Sequence, residues 1–352
     1  MIHKNLTLLL IIFLFTACSD DTVTQSFDLK QLRNNFIKNI ETPSTNKLLQ
    51  NIELLNKEIT AFSIEANRQN LEKLQSTWKL TAIAFSGNEI LNIGAIKASG
   101  IHNAFYSWNA NEEGINNYIN SSNVISGTTI NTLPTNFRGL SAIEFLIFDA
   151  SFTETLASFS NQRRGQYLKM LGENLLQKAI SLNKIWKNYR AVFISNNTTG
   201  IDGGINIVIN QINASLENIK RFKIGEPAGI ERTTSVDINK LQAEKSASSI
   251  AIIKKNINTI KEIYFGKTEG LADYVSFITK NNDLNIKIGK QFELIENSIT
   301  KLNPKALKDV LLSNPNDVKE LYDTIKSLII LIKADLASAL SITITFTDND
   351  GD

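Results

Sequence analysis

The sequence predicts an all-α protein made of two antiparallel helical-bundle halves packed together. Three observations predict it. Proline is rare, with 5 in 352 residues, and long stretches carry no glycine, so helix breakers are sparse. Apolar residues recur at three- and four-residue intervals through most of the chain, the spacing of a helix with one buried face. A polar stretch, Ser195-Asn196-Asn197-Thr198-Thr199-Gly200, interrupts the pattern near the middle. It divides the chain into an N-terminal bundle over residues 27–196 and a C-terminal bundle over residues 197–347. The length is sufficient for two such units.

The chain starts with the basic Met1-Ile2-His3-Lys4, an apolar run from Leu6 to Phe15, then Thr16-Ala17-Cys18. A basic start, a short apolar core and small residues at the cut make residues 1–17 a secretory signal, not a spanning helix. The small residues before Cys18 look like a bacterial lipobox, which predicts cleavage before Cys18 and a lipid on its sulfur. The expected location is therefore the envelope of a Gram-negative bacterium, with the protein held to a membrane through that lipid. Cys18 is the only cysteine, so neither an internal disulfide nor a Cys-ligated zinc site is possible. Residues 18–26 read as a polar tether, and Asp20 and Asp21 resemble acidic surface-export signals. Without the signal the chain holds 36 basic and 35 acidic residues, a net charge of +1. With no basic run of five or more, nothing attracts nucleic acid.

From Phe27, helical spacing runs through Leu29, Leu32, Phe36, Ile37 and Ile40, and Pro43 is expected to stop that helix. A second helix carries Leu48, Leu49, Ile52, Leu55, Ile59 and Phe62. A third carries Leu71, Leu74, Trp78, Ala82 and Phe85 and ends near Gly94. Residues 101–119 read as shorter helical pieces around His102, Phe105, Tyr106 and Trp108. Residues 121–135 and 149–160 read as loops. The longest helix follows, with Tyr167, Leu168, Leu171, Leu175, Ala179, Leu182, Ile185, Trp186, Tyr189 and Phe193 as its stripe. Beyond the midpoint, helices are expected over roughly 203–222, 246–264, 270–280, 284–301 and 316–341, with Asn303-Pro304 and Asn314-Pro315 as turns.

One stretch stands apart: Phe137-Arg138-Gly139-Leu140-Ser141-Ala142-Ile143-Glu144-Phe145-Leu146. On a helix, Ser141 and Glu144 share a face. Glu144 is surrounded in sequence by apolar residues, and a buried unpaired carboxylate costs several kcal/mol, so it needs a partner. Arg138 is too far along the helix to be an ideal one. The usual reactive groups are scarce. His102 is the one histidine outside the signal, in an aromatic segment typical of a packed residue. There is no HExxH, no Gly-rich phosphate loop and no cysteine nucleophile. The terminal Asp348-Asn349-Asp350-Gly351-Asp352 resembles the start of a calcium loop but lacks the distal glutamate, and reads as an acidic tail over residues 348–352.

Gly139-Leu140-Ser141-Ala142-Ile143-Glu144 resembles the GxHxxE motif of the imelysin-like proteins, bacterial envelope proteins classed among the metallopeptidases, several of them linked to iron uptake. Ser141 stands where that family has histidine. Supporting similarities run along the chain: Trp78 with Glu89 and Gly94, Lys223-Ile224-Gly225-Glu226-Pro227, Glu244-Lys245-Ser246, Tyr264-Phe265-Gly266 with Gly270-Leu271, and Ile344-Thr345-Phe346 running into the acidic end. The resemblance implies two bundle-like halves with a pocket near the motif at their interface. Arg138, Ser141, Glu144 and Glu244 are its candidate lining residues, and Glu144 is the candidate ligand for a divalent cation or iron. In the family motif, histidine and glutamate three apart could both ligate a metal, whereas a serine hydroxyl is a poor ligand for zinc or ferrous iron. Hydrolytic zinc normally has three protein ligands and an open water position. The expected function is therefore a lipid-anchored binding protein, an accessory in iron or haem acquisition with an uptake partner, and not a peptidase. The alternatives are a divergent metallopeptidase using Glu144, or a structural or protein-partner module in which Glu144 only holds the halves together.

Overall fold

The structure, a computed structural model, describes residues 26–345. The signal, Cys18 and the acidic tail lie outside the described residues, as does the tether except Ser26. Every regular element among the described residues is helical. None of these helices is long and apolar enough to cross a membrane.

In the first half, α1 (Leu29–Phe36) runs through a π-turn (Ile37–Glu41) into α2 (Thr42–Ile64), and α3 (Arg68–Glu89) returns beside it. Asn67 starts α3 by accepting the Asn70 amide through its side chain at 2.9 Å. Short helices follow: α4 (Gly94–Ser99), α5 (Glu112–Asn120), α6 (Gly127–Thr132), α7 (Gly139–Phe148) and α8 (Phe152–Ser158). The 34-residue α9 (Gln162–Ser195) then lies along α2. The second half holds α10 (Gly204–Asn218), α11 (Ser249–Phe265), α12 (Leu271–Thr279), α13 (Asp283–Leu302), α14 (Leu307–Ser313) and α15 (Pro315–Ile330), with α13 packed on α15. α11 crosses to pack on α3. The buried side chains of both halves form one continuous apolar cluster. The stripes follow the helical period: Leu71, Leu74, Trp78, Ala82 and Phe85 are buried on α3, and eight residues from Tyr167 to Phe193 that the stripe includes are buried on α9. Each fully buried Leu, Ile or Phe contributes on the order of 2 kcal/mol.

Three local expectations are corrected. Pro43 does not end the first helix: the chain stays helical, and the Thr42 amide donates back to Ile37 across the π-turn. The wider turn accommodates a residue that lacks an N–H and crowds the preceding turn. Residues 121–135 and 149–160 are not plain loops, because α6 and α8 lie within them. Both start on a capping box, Ser126 with Thr129 and Ser151 with Glu154, a signal that a search for apolar periods passes over in helices of six or seven residues. α14, between the two proline turns, is also absent from the sequence reading, though it buries Leu307, Val310 and Leu311.

The π-turn places Glu41 at full burial, where the Arg190 guanidinium of α9 donates to both carboxylate oxygens at 2.7 and 3.1 Å. Thr42 Oγ1 also donates to it, at 3.0 Å. Removing one partner leaves a buried charge unpaired, which costs far more than the pair contributes. Arg190→Met is therefore expected to destabilise the protein by about 3 kcal/mol in urea unfolding, and Glu41→Gln in the same background to recover part of that. A loss near zero for Arg190→Met contradicts this assignment.

Candidate functional site

α7 is the element around which the site is built. Every residue from Gly139 to Ile147 is buried, so a helix of ten residues has no solvent to satisfy its terminal backbone groups. Other elements do so. At its start, Leu140 N donates to Phe105 O at 2.7 Å. Gly139 has φ +74°, and a Cβ there would come within 2.6 Å of Phe105 O. The glycine of the motif is thus required both by its left-handed backbone and by the passing chain. At its end, Gln75 Nε2 donates to Ile147 O at 2.6 Å and Arg164 Nη2 to Leu146 O at 3.0 Å. Trp78 Nε1 on α3 donates to Leu140 O at 3.0 Å.

Glu144 is only 6% exposed. Its Oε1 accepts the backbone N–H of Ser246 at 2.9 Å, and its Oε2 accepts the Tyr106 hydroxyl at 3.1 Å. The partner that burial demands is therefore a pair of neutral donors, one from each half. The Ser246 amide is presented by a tight turn, with Ser248 N donating to Ala243 O and Ala247 N to Glu244 O, both at 3.0 Å. Burial raises the Glu144 carboxyl from 4.5 to about 7, against the opposing effect of its hydrogen bonds. Burial and the adjacent Glu144 push the Tyr106 phenol well above its ordinary value.

Ser141, one turn earlier, donates its hydroxyl to Ser107 O at 2.6 Å. Ser141, Glu144 and Glu244 line one cleft of about 80 Å³, together with Trp108, Glu112 and Lys245. Arg138 is not among its lining residues: its Nη1 donates to Asn131 O at 2.9 Å. The acids at the cleft are already partnered by lysines. Glu244 meets Lys308 of α14 at 2.6 Å, and Glu112 meets Lys245 at 3.1 Å, which also reaches Asp149 at 2.9 Å. Among the described residues, no group of three or more His, Cys, Asp or Glu is placed to hold a metal ion. This donor set does not fit a tightly held divalent metal. Tyr106, Lys245 and Lys308 had no assigned role in the sequence reading. Tyr106 stood there only as an aromatic, and Lys308 belongs to the helix that reading did not contain.

Two outcomes follow from this geometry. Gly139→Ala is expected to lower unfolding stability by about 2 kcal/mol or more, and a neutral result in urea unfolding contradicts the close approach to Phe105. For Glu144, the folded carboxyl holds its proton to a higher pH than the unfolded one. Its contribution is therefore fully present below about pH 4.5 and lost as pH rises through about 7. Glu144→Gln should remove that part of the decline in stability between these values, worth roughly 3 kcal/mol. Parallel stability–pH curves for the two proteins would show that the carboxyl is not perturbed.

The imelysin family profile matches residues 41–333. Among solved structures, an imelysin-like protein from Psychrobacter arcticum 273-4 superposes with a TM-score of 0.76 at 16% identity, covering 90% of this chain and 96% of that one. A protein from Parabacteroides distasonis ATCC 8503, described as a "putative iron-regulated protein A precursor", superposes with a TM-score of 0.73 at 14% identity, covering 92% of this chain and 97% of that one. No curated protein matches. With the profile spanning most of its length and the same all-helical fold in these structures, the chain belongs to the imelysin family.

Proposed function

We propose that this protein is a lipid-anchored binding protein of the cell envelope, an accessory to iron acquisition that does not hydrolyse peptides. One observation supports the absence of hydrolysis: Ser141, which stands where the resemblance places the family's histidine, has its hydroxyl bonded to Ser107 O. Both oxygens of Glu144 are likewise engaged, by Ser246 and Tyr106. A peptidase zinc needs three protein ligands and a free water position, and of the three carboxylates at this cleft Glu144 has two hydrogen bonds to break while Glu244 and Glu112 are paired with lysines. A volume of about 80 Å³ is small against the several hundred Å³ usual for organic-ligand pockets, which favours a small ion or group over haem in this cleft. The cleft suits a weakly held, oxygen-coordinated cation or a protruding group of a partner protein. The association with iron rests on family membership and on the description of the Parabacteroides protein. Anchoring rests on Cys18 and the signal before it.

A second reading has its own support: Glu144 binds donors 38 and 102 residues away in sequence, so it clasps the two halves. If that is its whole role, Glu144→Ala lowers stability and leaves any iron-dependent growth phenotype unchanged.

Calorimetric titration with Zn²⁺, Fe²⁺, Fe³⁺ and haem tests the primary reading. The expected result is no binding tighter than about 1 μM by the wild type. Ser141→His, which returns an imidazole beside Glu144, should gain tenfold or more in Zn²⁺ affinity, on the order of 1.4 kcal/mol. The protein should also become more abundant in envelope fractions when iron is limiting. Tight Zn²⁺ binding by the wild type, or proteolysis abolished by Glu144→Ala, overturns the reading.

A further inference from the structure

A second cavity, of about 310 Å³, lies on the other side of Tyr106 and Trp108 from the Glu144 cleft, between α3 and the short segments after it and α10 of the second half. Its size corresponds to roughly ten waters at about 30 Å³ each, and is near the lower limit for organic-ligand pockets. Its floor is a closed polar network. The Lys223 ammonium donates to Glu89 Oε2 at 2.7 Å and to Asn256 Oδ1 at 2.9 Å, and Asn256 Nδ2 donates to Ser86 O at 2.6 Å. The charges of this floor cancel, and Lys97 is an exposed residue at the rim.

His102 also lines this cavity. It is 6% exposed, packed edge-on against Phe85 and Phe105, and neither ring nitrogen has a hydrogen-bond partner. The same is true of Asn92 Oδ1 and Asn218 Oδ1 in the wall. These four atoms have no surface open to the cavity in the present rotamers; leaving them buried and unpaired costs on the order of 1–3 kcal/mol each, so four on residues that line one cavity need an explanation. Burial holds the imidazole neutral, its pKa lowered to about 4, so it can donate from one nitrogen and accept at the other. A side-chain amide likewise does both. Hydroxyl groups match this lining, because each can donate and accept, whereas an anion would meet carbonyl oxygens and a neutral ring. Phe85, Tyr106 and Trp108 add aromatic surface on which the C–H face of a ring can pack.

We propose that this cavity is a second binding site, separate from the Glu144 cleft, for a neutral polyhydroxylated molecule of monosaccharide size recognised by His102, Asn92 and Asn218. Contact comes with rotation of these three side chains about their terminal torsions, which have broad wells in His and Asn.

NMR of the His102 imidazole tests the proposal; His3 is the only other histidine in the chain, and His102→Phe assigns the signal. D-glucose, N-acetyl-D-glucosamine and myo-inositol are titrated to tens of millimolar, with inorganic phosphate and Zn²⁺ as contrasting probes. At least one neutral probe should shift the imidazole resonances saturably and change tryptophan fluorescence. His102→Phe, read by fluorescence, and Asn218→Leu, read by both signals, should each weaken that binding about tenfold or more, with an unfolding temperature unchanged or raised. Silence from all three neutral probes overturns the proposal, as does saturable binding of phosphate or Zn²⁺ alone, or undiminished affinity in a folded variant. The readout here is the His102 imidazole under neutral polyol probes, whereas the iron reading is tested by metal affinity at the Glu144 cleft and by abundance under iron limitation, so failure here and failure of the iron reading are distinguishable.

Discussion

A short helix buried on all sides constrains much of the first half of this protein. α7 must place its terminal backbone groups against other protein, because each buried group left unpaired costs on the order of 1–3 kcal/mol. That requirement accounts for the positions of Gln75 on α3, Arg164 on α9 and the chain segment through Phe105. It also fixes the glycine of the motif, since the backbone of Phe105 passes where a side chain would be. α7 is therefore held by distant elements before any chemistry at Glu144 is considered.

Electrostatics adds a second constraint at the same place. Burial disfavours the charged form of Glu144, while two donated hydrogen bonds favour it, and the balance leaves the carboxyl near neutrality, at about 7. Its donors come from opposite halves, so this buried carboxyl also joins them. Around it, acid and base pair at the cleft: Glu244 with Lys308, and Glu112 with Lys245. Ser141, Glu144 and Glu244 line the cleft together, but its hydrogen-bonding capacity is directed into the fold.

The contrast across the Tyr106–Trp108 wall is informative. On the Glu144 side, each principal polar group has a partner. On the other, His102, Asn92 and Asn218 bury polar atoms that have none, around a cavity about four times larger. Groups already bonded resist a new ligand, because contact requires breaking what exists, while unsatisfied groups gain from one. The capacity for small-molecule recognition is therefore concentrated on the side away from the motif.

The helical period of the apolar residues was enough to establish the all-α class and the buried stripes of α3 and α9, because one-sided burial leaves a local imprint. That Ser141 and Glu144 share a helix face was legible too, as was the need of Glu144 for a partner. What the partner is was not. Ser246 contributes a backbone amide, which has no residue type, and Tyr106 was one aromatic among several. Arg138, adjacent in sequence, turns to Asn131, while Glu244, a hundred residues away, lines the cleft. Pro43 misled because a π-turn, a tertiary accommodation, keeps the helix continuous. Short helices such as α14 leave too few residues for a period to register. Local pattern thus determined which faces are buried; only the packed chain decided which groups meet across them, because hydrogen-bond pairing depends on positions that sequence separation does not encode.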